Sequence, residues 1–287
     1  MQWSPRAPRD DVNVSRTHPL SEAASLVLGI GFALFALVAV AWGTLEIAAR
    51  WLPYDVESKL FGGLRPAVGG ESHDTRPHDD AEARRVAVQA LLDRLSSHWP
   101  ERPYALRVEI VGAREPNAAA FPGGAVLVTD GLLRQVRSEN ELSFVLAHEV
   151  GHFRNRDHLR RLGRSTLVGL ALAAIGFGDA SAAATSQPFL LLAGRGFDRA
   201  EESDADRFAL ELVVAEYGHG AGAADFFRGL PDAEAGLGVR VAGWVSTHPV
   251  SEARIEALEA FARERGFAMQ GSLAPLPEAL AHDRAEP

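Results

Sequence analysis

The chain has 287 residues, enough for one large domain or two small ones. Its net charge is −9 and it holds no basic run, so nucleic acid is not an expected partner. It has no cysteine, which excludes disulfides, a thiol nucleophile and cysteine-ligated zinc.

Residues 1–20 are polar and proline-bearing and are expected to form a disordered tail. Residues 24–43, ASLVLGIGFALFALVAVAWG, carry no charge. As a helix they span about 30 Å, enough to cross a bilayer. Trp42 and Trp51 lie near the C-terminal end, where indoles favour the interface. An uncleaved transmembrane anchor over 21–50, meeting lipid through 24–43, is therefore expected. A signal peptide is the competing reading, but no A-x-A cleavage pattern follows promptly. Arg6, Arg9 and Arg16 on one flank balance Arg50, Lys59 and Arg65 on the other, so charge does not fix the orientation.

Residues 51–80, rich in proline, glycine and acidic groups, are expected to be a linker. Helical apolar spacing begins at residue 81 and stops at Pro100. ALRVEIVG (105–112) and AVLVTDG (125–131) have strand character, the second after the turn FPGG, and GLLRQV opens a helical stretch. Ser138 followed by Glu141 has capping-box spacing. Leu142, Val145, Leu146, Val150 and Phe153 then place HEVGH (148–152) on a helix. Gly151 is unfavourable inside a helix and points to close packing there. The apolar stretches 166–178 and 188–197 are too short to span a bilayer comfortably. They are expected to be core helices, with a hairpin that dips into the membrane as the alternative. Helices are expected again from Asp198 to about Tyr217 and over 251–265. The catalytic domain is then 81–270, and 271–287 is expected to be a flexible tail.

On a helix, His148 and His152 point the same way one turn apart. Both can reach one metal ion at about 2.0–2.1 Å. Glu149 is rotated about 100° from His148, towards the open side of the metal. There it can act as general base, taking a proton from zinc-activated water. The pentapeptide alone is only suggestive; a third ligand decides. Glu202 is the preferred candidate. Asp206, one turn later, can accept the second N–H of a zinc histidine and fix its orientation. Glu201 is the rival ligand, but its i+4 neighbour is Ala205. An acidic solvated helix face is the bland reading of this segment.

Asn117, Gly124, Ala125 and Val126 border the second strand. They are taken as residues of a substrate strand that pairs an extended peptide by its backbone. His248 precedes a proline. It either steadies an oxyanion, caps the metal as a removable fourth ligand, or is a plain turn residue. Arg254 either stabilises the oxyanion or clamps the carboxylates; the clamp is preferred.

The pieces NAAAFPGG, VTDGLL, SENELSFVLAHEVGH, RNRD (154–157), EESDAD and STHPVSEARI occur in this order. In that order they resemble the HtpX-like group of membrane-associated zinc metalloproteases, which includes the Oma and BepA proteins and the CAAX prenyl proteases. The pattern E-x-x-A-D falls on Glu202 to Asp206 and again selects Glu202. The resemblance implies a mainly α gluzincin domain with a small β-sheet (α+β), one Zn2+ per chain and endopeptidase activity on unfolded or misassembled membrane and envelope proteins. By analogy with the single-anchor bacterial branch, it implies an inner membrane location with a periplasmic catalytic domain. A membrane-tethered chaperone or binding module with a latent or histidine-capped metal site is the alternative.

Overall fold

The computed structural model describes residues 18–62, 78–174, 198–229, 248 and 251–281. The chain divides into two compact units, Met1–Thr44 and Leu45–Pro287.

The described part of the first unit is the N-terminal part of helix α1 (Pro19–Trp51). Its apolar side chains belong to no core: Leu26, Phe32 and Phe35 are 65%, 72% and 71% exposed. The helix is long and apolar enough to cross a membrane.

The second unit is mainly helical around a small sheet. Its described elements are the end of α1, α2 (Tyr54–Phe61), α3 (His78–Ser97), β1 (Arg107–Val111), β2 (Ala118–Phe121), β3 (Ala125–Thr129), α4 (Asp130–Gln135), α5 (Glu139–Asn155), α6 (Asp157–Ala174), α7 (Arg199–Tyr217), α8 (Ala223–Arg228), α9 (Glu252–Arg265) and α10 (Glu278–Ala281). The sheet order is β1-β3-β2. β1 runs parallel to β3, with Val108 opposite Val126; β2 runs antiparallel, with Ala120 opposite Val126. β3 is thus central and buried throughout, and β2 is an edge. The β2–β3 turn takes Gly123 and Gly124 to φ of 82° and 87°, where a Cβ is disfavoured.

α5 is the core helix. Every residue from Asn140 to Phe153 is buried, so its polar residues are interior and must be partnered. Ser138 caps it by accepting from the Glu141 amide, but the Glu141 carboxylate turns to the Arg137 amide at 2.7 Å. The expected capping box is therefore half formed. Around α5 pack α3, the sheet, α7, α8 and α9, in one cluster that includes Leu91, Phe144, Val145, Phe226 and Leu258.

Two expectations change. Tyr54–Phe61 is a helix, not linker, because Glu57 is wholly buried in this unit. The segment after Gly271 is docked over residues 272–281. The Ala274 carbonyl accepts from the Glu139 amide at 3.0 Å, and Leu280 is buried. Helix α6 extends to Ala174; the rest of the stretches 166–178 and 188–197, expected as core helices or a membrane-dipping hairpin, and residues 282–287 lie outside the described residues.

Candidate metal centre

Three segments converge on one buried point. α5 supplies His148, Glu149 and His152, α7 supplies Glu202 and Asp206, and His248 enters ahead of α9. One ligand atom from each of His148, His152, Glu202 and His248 lies within 4.8 Å of the others.

Each α5 histidine is oriented from behind. His148 Nδ1–H donates to Asp206 Oδ1 at 2.9 Å, and His152 Nδ1–H donates to Asp157 Oδ2 at 2.8 Å. These bonds select the tautomer with Nε2 as lone pair, and both Nε2 atoms face inward, 3.0 Å apart. Two lone pairs at that distance repel unless a proton or a cation lies between them. Glu202 Oε2 is 3.5 Å from His148 Nε2, and Glu202 Oε1 is 3.7 Å from His152 Nε2. His248 Nδ1 is 3.2 Å from His148 Nε2 and 2.9 Å from Glu202 Oε1. Tetrahedral zinc with bonds of about 2.0–2.1 Å has ligand atoms about 3.3 Å apart. The donor spacings and chemistry therefore fit zinc, and a single proton would leave two of the four donors unused.

Glu201 and Glu202 are separated by the start of α7. Asp198 caps the helix, and Glu201 completes a capping box by accepting from the Asp198 amide at 3.2 Å. Glu201 also pairs with Arg164 at 3.2 Å. Glu202, one residue on, faces the histidines. Arg254 takes the clamp position: Nε and Nη2 donate to Asp206 at 2.5 and 2.8 Å, and Nη1 lies 2.5 Å from Glu202 Oε2.

Electrostatics follow from burial and pairing. Burial holds the His148 ring down to about 3, so it stays neutral as a ligand must. Burial likewise lowers His248. Burial would also lower His152, but the Asp157 hydrogen bond and the Glu202 and Glu149 carboxylates outweigh it and raise the group. Burial would raise Asp206, yet the Arg254 guanidinium keeps it well below the usual carboxylate range.

Glu149 is fully buried beside the ligands. Its Oε2 accepts from the Ala120 amide at 2.7 Å, and its Oε1 is 3.4 Å from His248 Nε2. The edge strand beside the site is therefore β2. Of the residues expected to form a substrate strand, Asn117 leads into β2 and Gly124 closes the turn. Ala125 and Val126 lie in β3, whose two sides are already paired. The open edge is that of Ala118–Phe121, not of β3. Asp157 and the Ala120 amide had no sequence signal of their own, although Asp157 closes the RNRD stretch.

Residues 78–262 match the model of peptidase family M48. The chain belongs to that family. Similar relatives are a putative beta-barrel assembly-enhancing protease of Vibrio cholerae, 33% identical over 154 residues, and the mitochondrial metalloendopeptidase OMA1 of Schizosaccharomyces pombe, 33% identical over 150. Each alignment covers 50% of this chain, with 31% and 43% of the relative. A protease HtpX homolog of Aquifex aeolicus is 33% identical over 143 residues, 48% of this chain and 41% of the relative. The chain thus spans less than half the length of these relatives.

Proposed function

We propose that this M48 chain is a membrane-anchored, zinc-dependent endopeptidase. The observation that carries the reading is the Ala120–Glu149 contact: it sets a strand edge directly against the glutamate of a four-donor metal site.

His148, His152 and Glu202 would hold the metal, with Asp206 and Asp157 fixing the two rings. When bound, zinc supplies Lewis-acid polarisation of a scissile carbonyl and acidifies water. Glu149 acts as general base on the attacking water and then carries the proton to the leaving amine. An extended peptide adds to the β2 edge through backbone hydrogen bonds, which demands little of side chains and suits unfolded polypeptide. Burial of the whole cluster excludes bulk water from the reacting groups. Cleavage of unfolded casein by the full chain, abolished by a zinc chelator and restored by zinc, tests this reading. Chelator-resistant cleavage contradicts it.

We place α1 across a bacterial inner membrane with the catalytic unit in the periplasm, by analogy with the single-anchor bacterial members. Alkaline phosphatase fused after Pro287 would then be active, and an inactive fusion would reverse the placement.

A second reading rests on His248. Its Nδ1 occupies the fourth donor position, 2.9 Å from Glu202 Oε1. A site capped in this way would be a latent one, in a tethered binding or chaperone module, until substrate displaces the ring. Cutting by His248→Ala where the wild type is silent would support a cap.

A further inference from the structure

Glu57 sits on α2, in the segment just after the membrane-crossing helix, and is fully buried. A single carboxylate oxygen, Oε1, accepts from Tyr104 Oη at 2.9 Å, from the Gly123 amide at 3.1 Å and from His158 Nε2 at 2.9 Å. Burying a carboxylate is costly unless it is paired in this way. Here burial would raise the group, but His158, Gly123 and Tyr104 together keep it lowered and charged.

Its partners lead to the two halves of the metal centre. Gly123 belongs to the turn that ends β2, and a Cβ at Gly123 would come within 2.6 Å of the Phe61 carbonyl carbon. The turn is therefore seated directly on the end of α2. From that turn β2 runs back to Ala120, whose amide holds Glu149. On the other side, His158 reaches the carbonyl of His152 through Nδ1 at 3.2 Å. A second tie parallels the first. Arg156, at the left-handed φ of 59°, donates to the Ala49 carbonyl at 3.2 Å and lies 3.6 Å over the Tyr54 ring. A non-glycine residue in that conformation persists only where its surroundings hold it.

We propose that Glu57 is a positioning residue: it fixes the spacing between edge strand β2 and the HEVGH helix, and so the aim of Glu149. Catalytic geometry then depends on the juxtamembrane segment 49–61, which contributes no group to the reaction. The role of Glu149 invoked here rests on the endopeptidase reading above.

The test uses the full zinc-loaded chain in detergent, with casein as substrate and amide hydrogen exchange alongside. In Glu57→Gln the amide oxygen can keep the place of Oε1 but not its charge, so the three hydrogen bonds it accepts weaken. Misplacement of a catalytic group by about 1 Å costs up to roughly 10²-fold, so kcat should fall at least about tenfold while KM moves less than about twofold. Exchange should quicken at 118–124 and 152–158 but not at 88–95 of α3. Unchanged kcat per zinc-loaded molecule, or exchange quickened uniformly including α3, would overturn the proposal and leave Glu57 a plain stabilising group. If Glu57→Gln does not fold, His158→Gln cuts one of the two routes and carries the same test, with exchange quickened at 152–158. A wild type that cuts nothing sinks the endopeptidase reading alone. The exchange pattern then decides the positioning role: local quickening supports it, and none overturns it.

Discussion

Asp206 serves two partners at once, and its charge is what both need. It accepts from His148 Nδ1–H and from two nitrogens of Arg254. Asp206→Asn keeps the shape but halves the acceptors and leaves Arg254 underpaired in a buried site. Loss of such a partner behind a metal ligand costs about 10–100-fold in metal affinity. Competition with a chromophoric chelator should show that drop; unchanged zinc affinity would mean Asp206 does not orient His148. The residues of this site differ in how far their spacing betrayed them. His148, Glu149, His152, Glu202 and Asp206 follow helical offsets of one, three or four, which the sequence displays directly. Asp157 lies five residues after His152, beyond the left-handed turn at Arg156, so no helical rule connects the two. Glu201 and Glu202 are neighbours with the same chemistry. The i+4 aspartate already favoured Glu202, and in the fold the capping box at Asp198 binds Glu201 to its helix end while Glu202 faces the histidines.

Between elements, the decisive contact is that of α5 with α7. A Cβ at Gly151 would stand 2.9 Å from the Ala205 Cα and 3.1 Å from its carbonyl oxygen. Helix propensity favours Gly151→Ala by about 1 kcal/mol, whereas overpacking costs about 1–3 kcal/mol. The neighbour is backbone and cannot swing aside, so packing should win. The denaturation midpoint should fall, and zinc affinity with it, because α7 carries Glu202. A variant more stable than wild type, with unchanged zinc binding, would contradict this. The glycine inside HEVGH already indicated close packing; which helix came close was not legible. β2 was missed because AAAF has little strand preference of its own and is made a strand by pairing with β3. α2 was missed because its eight residues lie in a stretch whose prolines and glycines resemble a linker. Long-range contacts bring it into the core: buried Glu57, and Tyr54 under Arg156.

At the scale of the whole molecule, the catalytic unit concentrates buried ionisable groups around one point, so its stability depends on pH. His148 at about 3 and His248, also well below its ordinary 6.5, bind protons at lower pH in the folded chain than in the unfolded one. Their contribution is intact above about 6.5 and is lost as pH falls. His152 is raised and works in the opposite sense. Glu201, raised chiefly by burial, also opposes them, but the two lowered histidines carry the larger shifts. Asp157, Asp206 and Glu57, all lowered, add further loss of stability once pH drops below about 4. The urea midpoint of the metal-free chain should therefore fall from pH 7 to pH 5, and a rise would contradict the burial of neutral His148 and His248.

The apolar helix α1, the M48 match over 78–262 and the four-donor cluster all support the proposed hydrolysis beside a membrane. That claim stands most directly on Glu149. The measurement is cleavage of unfolded casein by the purified full chain and by Glu149→Gln, both with zinc bound in equal amount. Wild type should cut, whereas Glu149→Gln, though zinc-loaded and folded, should lose at least about 10²-fold in rate, the lower range for a general acid–base group. Equal cutting by the two proteins would remove Glu149 from the chemistry and with it the proposed mechanism.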